Sequence, residues 1–268
     1  MPNSLFGSDS EDGEQDAPSL LSPSANATRS PAPSSSQARG AATRRANRNP
    51  DEPLTDEIVV ATDSPPPIPG LYVFPNAIPR ALQDAVTEAL SASVWPSTSN
   101  QVMLFDSPSH SALPPALQPL VDLLPAILAP LPLELQALLF DDPRPRQCIL
   151  NLYHPGQGIS SHVDLASRYA DGIIGISLLS STVMEFTPVT AARPDDNDRK
   201  SYAIRLKPGS VYVLSGPARY EYRHGIAYRT EDVVEDGAGE FMRTRRGTRI
   251  SVTLRRMLQG AEVVGGPS

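Results

Sequence analysis

Hydrophobic and polar positions divide the chain into three textures. Residues 1–65 are mostly Ser, Pro, Ala, Asp and Arg, with few large apolar side chains. Such a stretch cannot bury enough surface to offset its ordering entropy, so a disordered N-terminal tail is expected there. Order is expected to begin near Pro67-Ile-Pro-Gly-Leu71, with Leu71–Phe74 as a short strand. From Pro79 to Val94, the residues Leu82, Val86, Leu90 and Val94 recur at every fourth position. That spacing predicts one apolar face of a helix, with Pro79 and Arg80 at its start. Leu113 to Phe140 is apolar but interrupted by Pro114, Pro115, Pro119, Pro125, Pro130 and Pro132, which predicts short helical pieces packed on a sheet.

From Gln147 onward the texture becomes short apolar runs: Cys148–Tyr153, Ile173–Leu179, Thr182–Phe186, Tyr202–Leu206, Val211–Leu214 and Arg249–Leu254. Turn residues separate them, among them Pro155-Gly-Gln-Gly158, Asp171-Gly172 and Lys207-Pro-Gly209. Short strands punctuated in this way predict a β-rich α+β fold, a sandwich or small barrel with helices packed on one side. Ala227 to Gly247 mixes arginines with acids and is read as a solvated loop or a phosphate-tracking segment. Residues 259–268 are expected to be a flexible tail.

Composition narrows this picture. With 268 residues and 40% hydrophobic content the chain suits one folded domain, placed at 66–258, and hardly two. The 29 prolines cluster, as expected of a disordered part beside a folded one. A net charge of −7 argues against a general nucleic-acid coat but leaves room for a local basic groove. Arg39, Arg44, Arg45 and Arg48 in the tail fit either a solvated segment or an import signal. The lone cysteine, Cys148, cannot form an internal disulfide and lies in an apolar run, so a buried thiol is expected. That implies a reducing compartment, cytoplasm and/or nucleus. Met1-Pro-Asn-Ser-Leu-Phe6 leads into an acidic stretch and lacks the pattern of a secretory signal. No run approaches the roughly 18 apolar residues of a membrane span, so no membrane partner is expected. A monomer is expected.

The candidate chemistry lies in the histidines, of which there are 4: His110, His154, His162 and His224. His162-Val-Asp164 places an imidazole and a carboxylate two residues apart, on the same face of an extended strand. A third ligand would complete a facial triad with open positions for non-haem iron, and His224 is the candidate. By itself the pair is weak evidence, since a surface histidine and a turn aspartate account for it more simply. Arg249, Ser251, Thr253 and Arg255 alternate onto one face of a strand, with Ile250, Val252 and Leu254 on the other. Two guanidiniums aimed into a pocket are costly unless they meet anions, and a dicarboxylate offers one at each end.

Asn151-Leu-Tyr153, a Gly-containing turn and His162-Val-Asp164 together resemble the pattern of the AlkB family of Fe(II)- and 2-oxoglutarate-dependent oxygenases. Arg249-Ile-Ser-Val-Thr-Leu-Arg255 resembles that family's closing strand, with Ser251 where many members carry Asn. Pro208 to Tyr220, followed by Tyr222-Arg-His224-Gly-Ile, resembles its run into the distal histidine. The resemblance covers roughly residues 68 to 257. It implies a double-stranded β-helix (jelly-roll, cupin-like) core and iron on His162, Asp164 and His224. It further implies 2-oxoglutarate held by Asn151 and Tyr153, with Arg249 on its distal carboxylate, Arg255 on the one nearer the metal and Ser251 in support. The activity implied is oxidative decarboxylation of 2-oxoglutarate to succinate and carbon dioxide, using O2 to hydroxylate a substrate C–H or to demethylate an N-methyl group. His110 and His154 match no motif position.

Within the family, the stretch from Val163 through Leu179, with Val183-Met-Glu-Phe186 and Arg245-Arg-Gly-Thr-Arg249, looks most like the branch acting on wobble uridines of tRNA. The RNA-binding and methyltransferase modules of its animal members are not seen here. Leu165-Ala-Ser-Arg168 lacks the carboxylate expected of a DNA-repair demethylase after the His-x-Asp pair. A nucleic acid substrate is therefore expected, RNA before DNA. Base access calls for a lid, expected in residues 95–115, where Trp95 or Phe105 would stack on a base or pack in the core. Tyr220 and Tyr222 would line the mouth or the core. Two other readings stand beside this one. One keeps the chemistry but takes a protein, lipid or small-molecule substrate; the other is a non-catalytic, metal-binding cupin-like protein, which leaves Arg249 and Arg255 unexplained.

Overall fold

The computed structural model describes residues 60–95, 100–106, 113–189, 200–235 and 238–261. After strand β1 (Leu71–Phe74) comes helix α1 (Arg80–Ser93), where Val86 and Leu90 are buried as the fourfold spacing predicts. Strand β2 (Gln101–Asp106) precedes a 3-10 turn (Pro115–Leu117) and two short helices, α2 (Gln118–Ile127) and α3 (Leu133–Phe140). Then follow β3 (Arg146–Tyr153), β4 (Ile159–His162), β5 (Ile173–Leu178), β6 (Thr182–Pro188), β7 (Tyr202–Leu206) and β8 (Ser210–Leu214). The one-turn helix α4 (Gly216–Tyr220) leads into β9 (Tyr222–Ile226), β10 (Glu231–Glu235), β11 (Phe241–Arg245) and β12 (Arg249–Arg256).

The strands form a six-stranded sheet in the order β1-β8-β5-β12-β3-β2 and a four-stranded sheet in the order β4-β9-β6-β7, with β10 and β11 as a separate hairpin. Every pairing between these strands is antiparallel. Period-two alternation assigns the faces of the larger sheet. Cys148, Leu150, Ile174, Ile176, Val211, Val213, Ile250, Val252 and Leu254 point outward and form the main core with α1, α2 and α3. The opposite face meets the smaller sheet, where Ile173, Tyr212 and Leu214 pack with Met184, Phe186, Ile204 and Leu206. Two antiparallel sheets around an interior, with helices outside one of them, make a double-stranded β-helix. Cys148 is fully buried, as expected of a structural thiol.

Two expectations need correction. Ala227–Gly247 is not an open loop: β10 and β11 form a hairpin on the outer face of the smaller sheet, where Val234 packs with Val183, Ala203 and Ala61. Its root is a buried polar knot. Asp232 accepts from Arg246 Nε (2.7 Å) and Nη2 (2.6 Å), from Arg229 Nε (2.9 Å) and from the Val183 amide (3.1 Å). Order also begins earlier than composition suggests. Ala61 is buried and bridges Val234, while Asp63 pairs with Arg205 at 2.6 Å and Lys207 at 2.8 Å. Among the described residues no helix is long and apolar enough to cross a membrane.

Candidate metal and cosubstrate site

The site grows out of strand register. In the β3–β12 ladder Arg249 lies opposite Tyr153, Ser251 opposite Asn151 and Arg255 opposite Gln147. The inner face of two adjacent strands therefore carries every residue expected to hold 2-oxoglutarate. In the β4–β9 pair His162 lies opposite His224, and their ring centroids are 4.6 Å apart. Asp164 follows β4 by two residues and brings its carboxylate to the same point. One ligand atom each from His162, Asp164 and His224 lie within 4.8 Å of one another.

Local hydrogen bonds orient this group. His162 Nδ1 donates to the Ser160 carbonyl oxygen at 2.8 Å, which orients the ring and leaves Nε2 as the nitrogen for a metal. His224 Nε2 lies 3.5 Å from Asp164 Oδ2. Burial, then the neighbouring His162 and Arg219, push the His224 pKa down to about 3, so its imidazole is neutral and able to coordinate. The other Asp164 oxygen contacts Arg255 Nη1. Arg255 also donates from Nε to Gln147 Oε1 at 2.8 Å, and its guanidinium carbon stacks 3.5 Å from the Tyr169 ring centroid. Burial lowers the Arg255 pKa to about 10, which still leaves it charged at neutral pH.

Arg249 is different. It is 4% exposed, donates from Nε to Ser177 Oγ at 2.9 Å, and pairs with no carboxylate among the described residues. Burial lowers its pKa, with Tyr212 and Tyr153 its main favourable neighbours. A buried cation without a counter-ion is a standing cost that an incoming carboxylate would relieve. Two nitrogens and one carboxylate around a common point, beside one unpaired and one paired guanidinium, fit an Fe(II) facial triad with a dicarboxylate alongside.

These side chains line a cavity of about 410 Å³ together with Asn151, Tyr153, Tyr212 and Thr253. Among the described residues Asp164 is its only acidic lining residue. Met103 and Leu165, 52% and 59% exposed, sit at its opening.

All eight residues singled out in the sequence for metal and 2-oxoglutarate (His162, Asp164, His224, Asn151, Tyr153, Arg249, Ser251 and Arg255) line this one cavity. Other candidates fall elsewhere. Tyr222 packs between the sheets, Tyr220 is half-exposed against Arg219, and His154 lies exposed in a turn. Of the segment expected to hold a lid, residues 101–106 form β2 on the sheet edge and Trp95 packs against the helical core, while 96–99 and 107–112 lie outside the described residues. Phe105 is exposed on β2, and His110 lies outside the described residues. Sequence reasoning missed Gln101, whose Nε2 donates to Asn151 Oδ1 at 2.7 Å, and Tyr169, the platform under Arg255. Neither stands in a pattern that would have exposed it.

The model of the 2OG-Fe(II) oxygenase superfamily matches residues 76–255, well over half the chain, and the chain belongs to that superfamily. Fe(II), 2-oxoglutarate and O2 are accordingly the cofactor and cosubstrates of this oxygenase domain. Its relatives are AlkB-like. It is 33% identical over 127 residues (43% of this chain, 18% of the relative) to the macaque (Macaca fascicularis) tRNA (carboxymethyluridine(34)-5-O)-methyltransferase ALKBH8. It is 36% identical over 121 residues (43% and 50%) to the mouse (Mus musculus) mitochondrial alpha-ketoglutarate-dependent dioxygenase alkB homolog 7. An uncharacterized protein of Acanthamoeba polyphaga mimivirus is 36% identical over 118 residues (44% and 51%). The chain thus spans about half of the mimivirus protein and less than a fifth of the macaque one.

Proposed function

We propose that this dioxygenase hydroxylates or oxidatively demethylates a modified nucleobase in RNA, with tRNA the favoured substrate. The observation that carries the choice of base is the chemistry of the cavity. Among the described residues its one carboxylate, Asp164, is engaged by Arg255, and the neutral Met103 and Leu165 stand exposed at its edge. A ring-methylated adenine or cytosine is cationic and is best recognised by a free carboxylate; a uridine-type base is neutral and needs none. Similarity to ALKBH8, which is named for carboxymethyluridine in tRNA, supports the same choice. When bound, the iron supplies the chemistry that couples 2-oxoglutarate decarboxylation to oxidation of a C–H bond.

The chain's own residues account for binding and orientation in this reading. His162, Asp164 and His224 hold the metal. Arg249 fixes the distal carboxylate of 2-oxoglutarate next to Tyr153. Arg255, beside Asp164, would meet the carboxylate nearer the metal. Asn151, Ser251 and Gln101 fill the polar wall between them. The same reading places the protein in the cytoplasm or nucleus, where its RNA substrate resides.

The test is succinate release from 2-oxoglutarate by Fe(II)-loaded protein, alone, with total tRNA and with alkylated single-stranded DNA, beside Asp164→Ala. Turnover raised by tRNA, abolished in the variant and accompanied by an oxidised uridine supports the proposal. Stimulation by alkylated DNA alone would overturn the RNA assignment. No stimulation by either polymer would move the substrate to protein, lipid or small molecule.

A further inference from the structure

Arg219 is the largest fully buried side chain among the described residues, with no measurable exposure. It lies on α4, five residues before His224, and makes no ion pair with a carboxylate among the described residues. Its guanidinium instead faces the backbone of the segment that follows β4. Nη1 donates to the Asp164 carbonyl at 2.7 Å, and Nη2 reaches the Leu165 carbonyl at 3.5 Å and the Tyr169 carbonyl at 3.4 Å. The Tyr220 ring covers it at 4.7 Å, while Nε has no hydrogen-bond partner among the described residues. Burying an arginine that bonds only carbonyl oxygens, with one ring and the Asp171 carboxylate, which it does not bond, as its other favourable neighbours, is unfavourable in itself, and core packing would be met as well by Met or Leu. Such a group is worth its burial where a fork of donors must fix a backbone.

The segment it grips is where the site's parts meet. Asp164 belongs to the triad, Leu165 stands at the cavity opening and Tyr169 carries Arg255 on its ring. The Leu165 carbonyl also accepts the amides of Arg168 (3.1 Å) and Tyr169 (3.0 Å), closing 165–169 into one turn. Beyond it, the Ala170 amide donates to the Arg256 carbonyl at 2.9 Å, which ties the far end to β12. The turn is thus held by β12 at one end and by the Arg219 fork along its length.

We infer that Arg219 is a positioning residue that sets the Asp164–Tyr169 turn, and through it places both the metal-binding carboxylate and the arginine that meets 2-oxoglutarate. This rests on the reading of His162, Asp164 and His224 as the metal ligands. Arg219 touches neither the metal nor the cosubstrate. Losing the fork weakens both together, because one turn carries a determinant of each, whereas loss of Arg249 affects the cosubstrate alone.

The test compares full-length wild type, Arg219→Lys, Arg219→Met and Asp164→Ala in three measurements: Mn(II) binding by electron paramagnetic resonance, 2-oxoglutarate binding at saturating Mn(II), and amide hydrogen exchange. The lysine variant keeps the charge and loses the fork. Expected for Arg219→Lys is metal affinity weaker by roughly 10- to 100-fold, weaker 2-oxoglutarate binding, and faster exchange at the amides of 168–170 with β3 and β12 unchanged. Wild-type affinities and wild-type exchange in Arg219→Lys overturn the inference. So does a variant in which exchange rises across both sheets, which marks Arg219 as general core structure. If Asp164→Ala binds Mn(II) as well as wild type, the metal reading fails; faster exchange confined to the turn in Arg219→Lys would then still establish the clamp, without its link to the metal.

Discussion

Arg249 and Tyr153 oppose one another directly across the β3–β12 ladder, with the guanidinium carbon 5.4 Å from the centre of the tyrosine ring. The arrangement holds a buried positive charge over an aromatic face with no carboxylate among the described residues to answer it. Removing that charge should therefore have opposite effects on binding and on stability. For Arg249→Met, 2-oxoglutarate binding measured by calorimetry is expected to weaken by about 30- to 100-fold, roughly 2–3 kcal/mol for a lost charge-assisted pair of hydrogen bonds. The cosubstrate-free variant should melt at the wild-type temperature or above it, because an uncompensated buried cation is gone. Unchanged 2-oxoglutarate binding would remove Arg249 from the cosubstrate site.

Asp164 serves the metal reading and the Arg255 pair at once, and the two roles separate in a double variant. Mn(II) at about 100 times its dissociation constant should stabilise the wild type by roughly 2.7 kcal/mol, and chelation should reverse this. Asp164→Ala should abolish that response and also lower the metal-free melting temperature, because Arg255 is left buried without its partner. Adding Arg255→Met to Asp164→Ala should recover the metal-free stability but not the response to Mn(II). A Mn(II) shift that persists in Asp164→Ala would show that the ion sits elsewhere.

What could be read in the sequence follows from which features are periodic and local. The alternation of Arg249, Ser251, Thr253 and Arg255 and the His162-x-Asp164 pair are strand patterns, and a period of two delivers them to one face whatever the rest of the fold does. His224 needed the family resemblance, since its place opposite His162 depends on a pairing between strands about sixty residues apart in sequence. The hairpin leaves no strand pattern in the sequence because Phe241, Met242, Arg243 and Arg245 are all exposed, so β11 has no buried face to imprint an alternation. Ile159–His162 is too short to signal a strand. Tyr169 and Arg219 act through contacts with distant backbone and ring partners, for which one chain of letters carries no local sign.

Asp232 anchors the hairpin, and its charge state gives it a pH signature. Burial alone would raise its carboxyl pKa, but hydrogen bonds from Arg246 and then Arg229 hold it below the ordinary carboxylate value. A carboxyl depressed in the folded state stabilises the fold fully above its unfolded pKa of about 3.9, and that contribution is lost as the pH falls through the folded value. Asp232→Ala should cost about 3–5 kcal/mol at pH 7, since Arg246 stays buried without a counter-charge. Urea midpoints for wild type and variant should converge as the pH is lowered from 5 toward 3. Parallel acid limbs would mean that Asp232 stays ionised throughout or is unpaired in solution.

Gly175 controls the wall of the cavity through Tyr212. The two face each other in the β5–β8 register, and a Cβ added at Gly175 would fall 2.0 Å from Cζ of the tyrosine and 2.4 Å from its hydroxyl oxygen. Tyr212 is 6% exposed and packs between the sheets, so its ring cannot swing to solvent. It can yield only toward the cavity, where it already stands among Arg249, Ser251 and Thr253. Gly175→Ala should therefore cost about 1–3 kcal/mol as an overpacked core, and should also raise the KM for 2-oxoglutarate as the ring enters the space beside Arg249. Combining it with Tyr212→Leu relieves the clash, so the double variant should recover most of the stability lost in the single one. If the double variant is less stable by the sum of the two single losses, the residues act independently and the tyrosine does not depend on the missing side chain at Gly175.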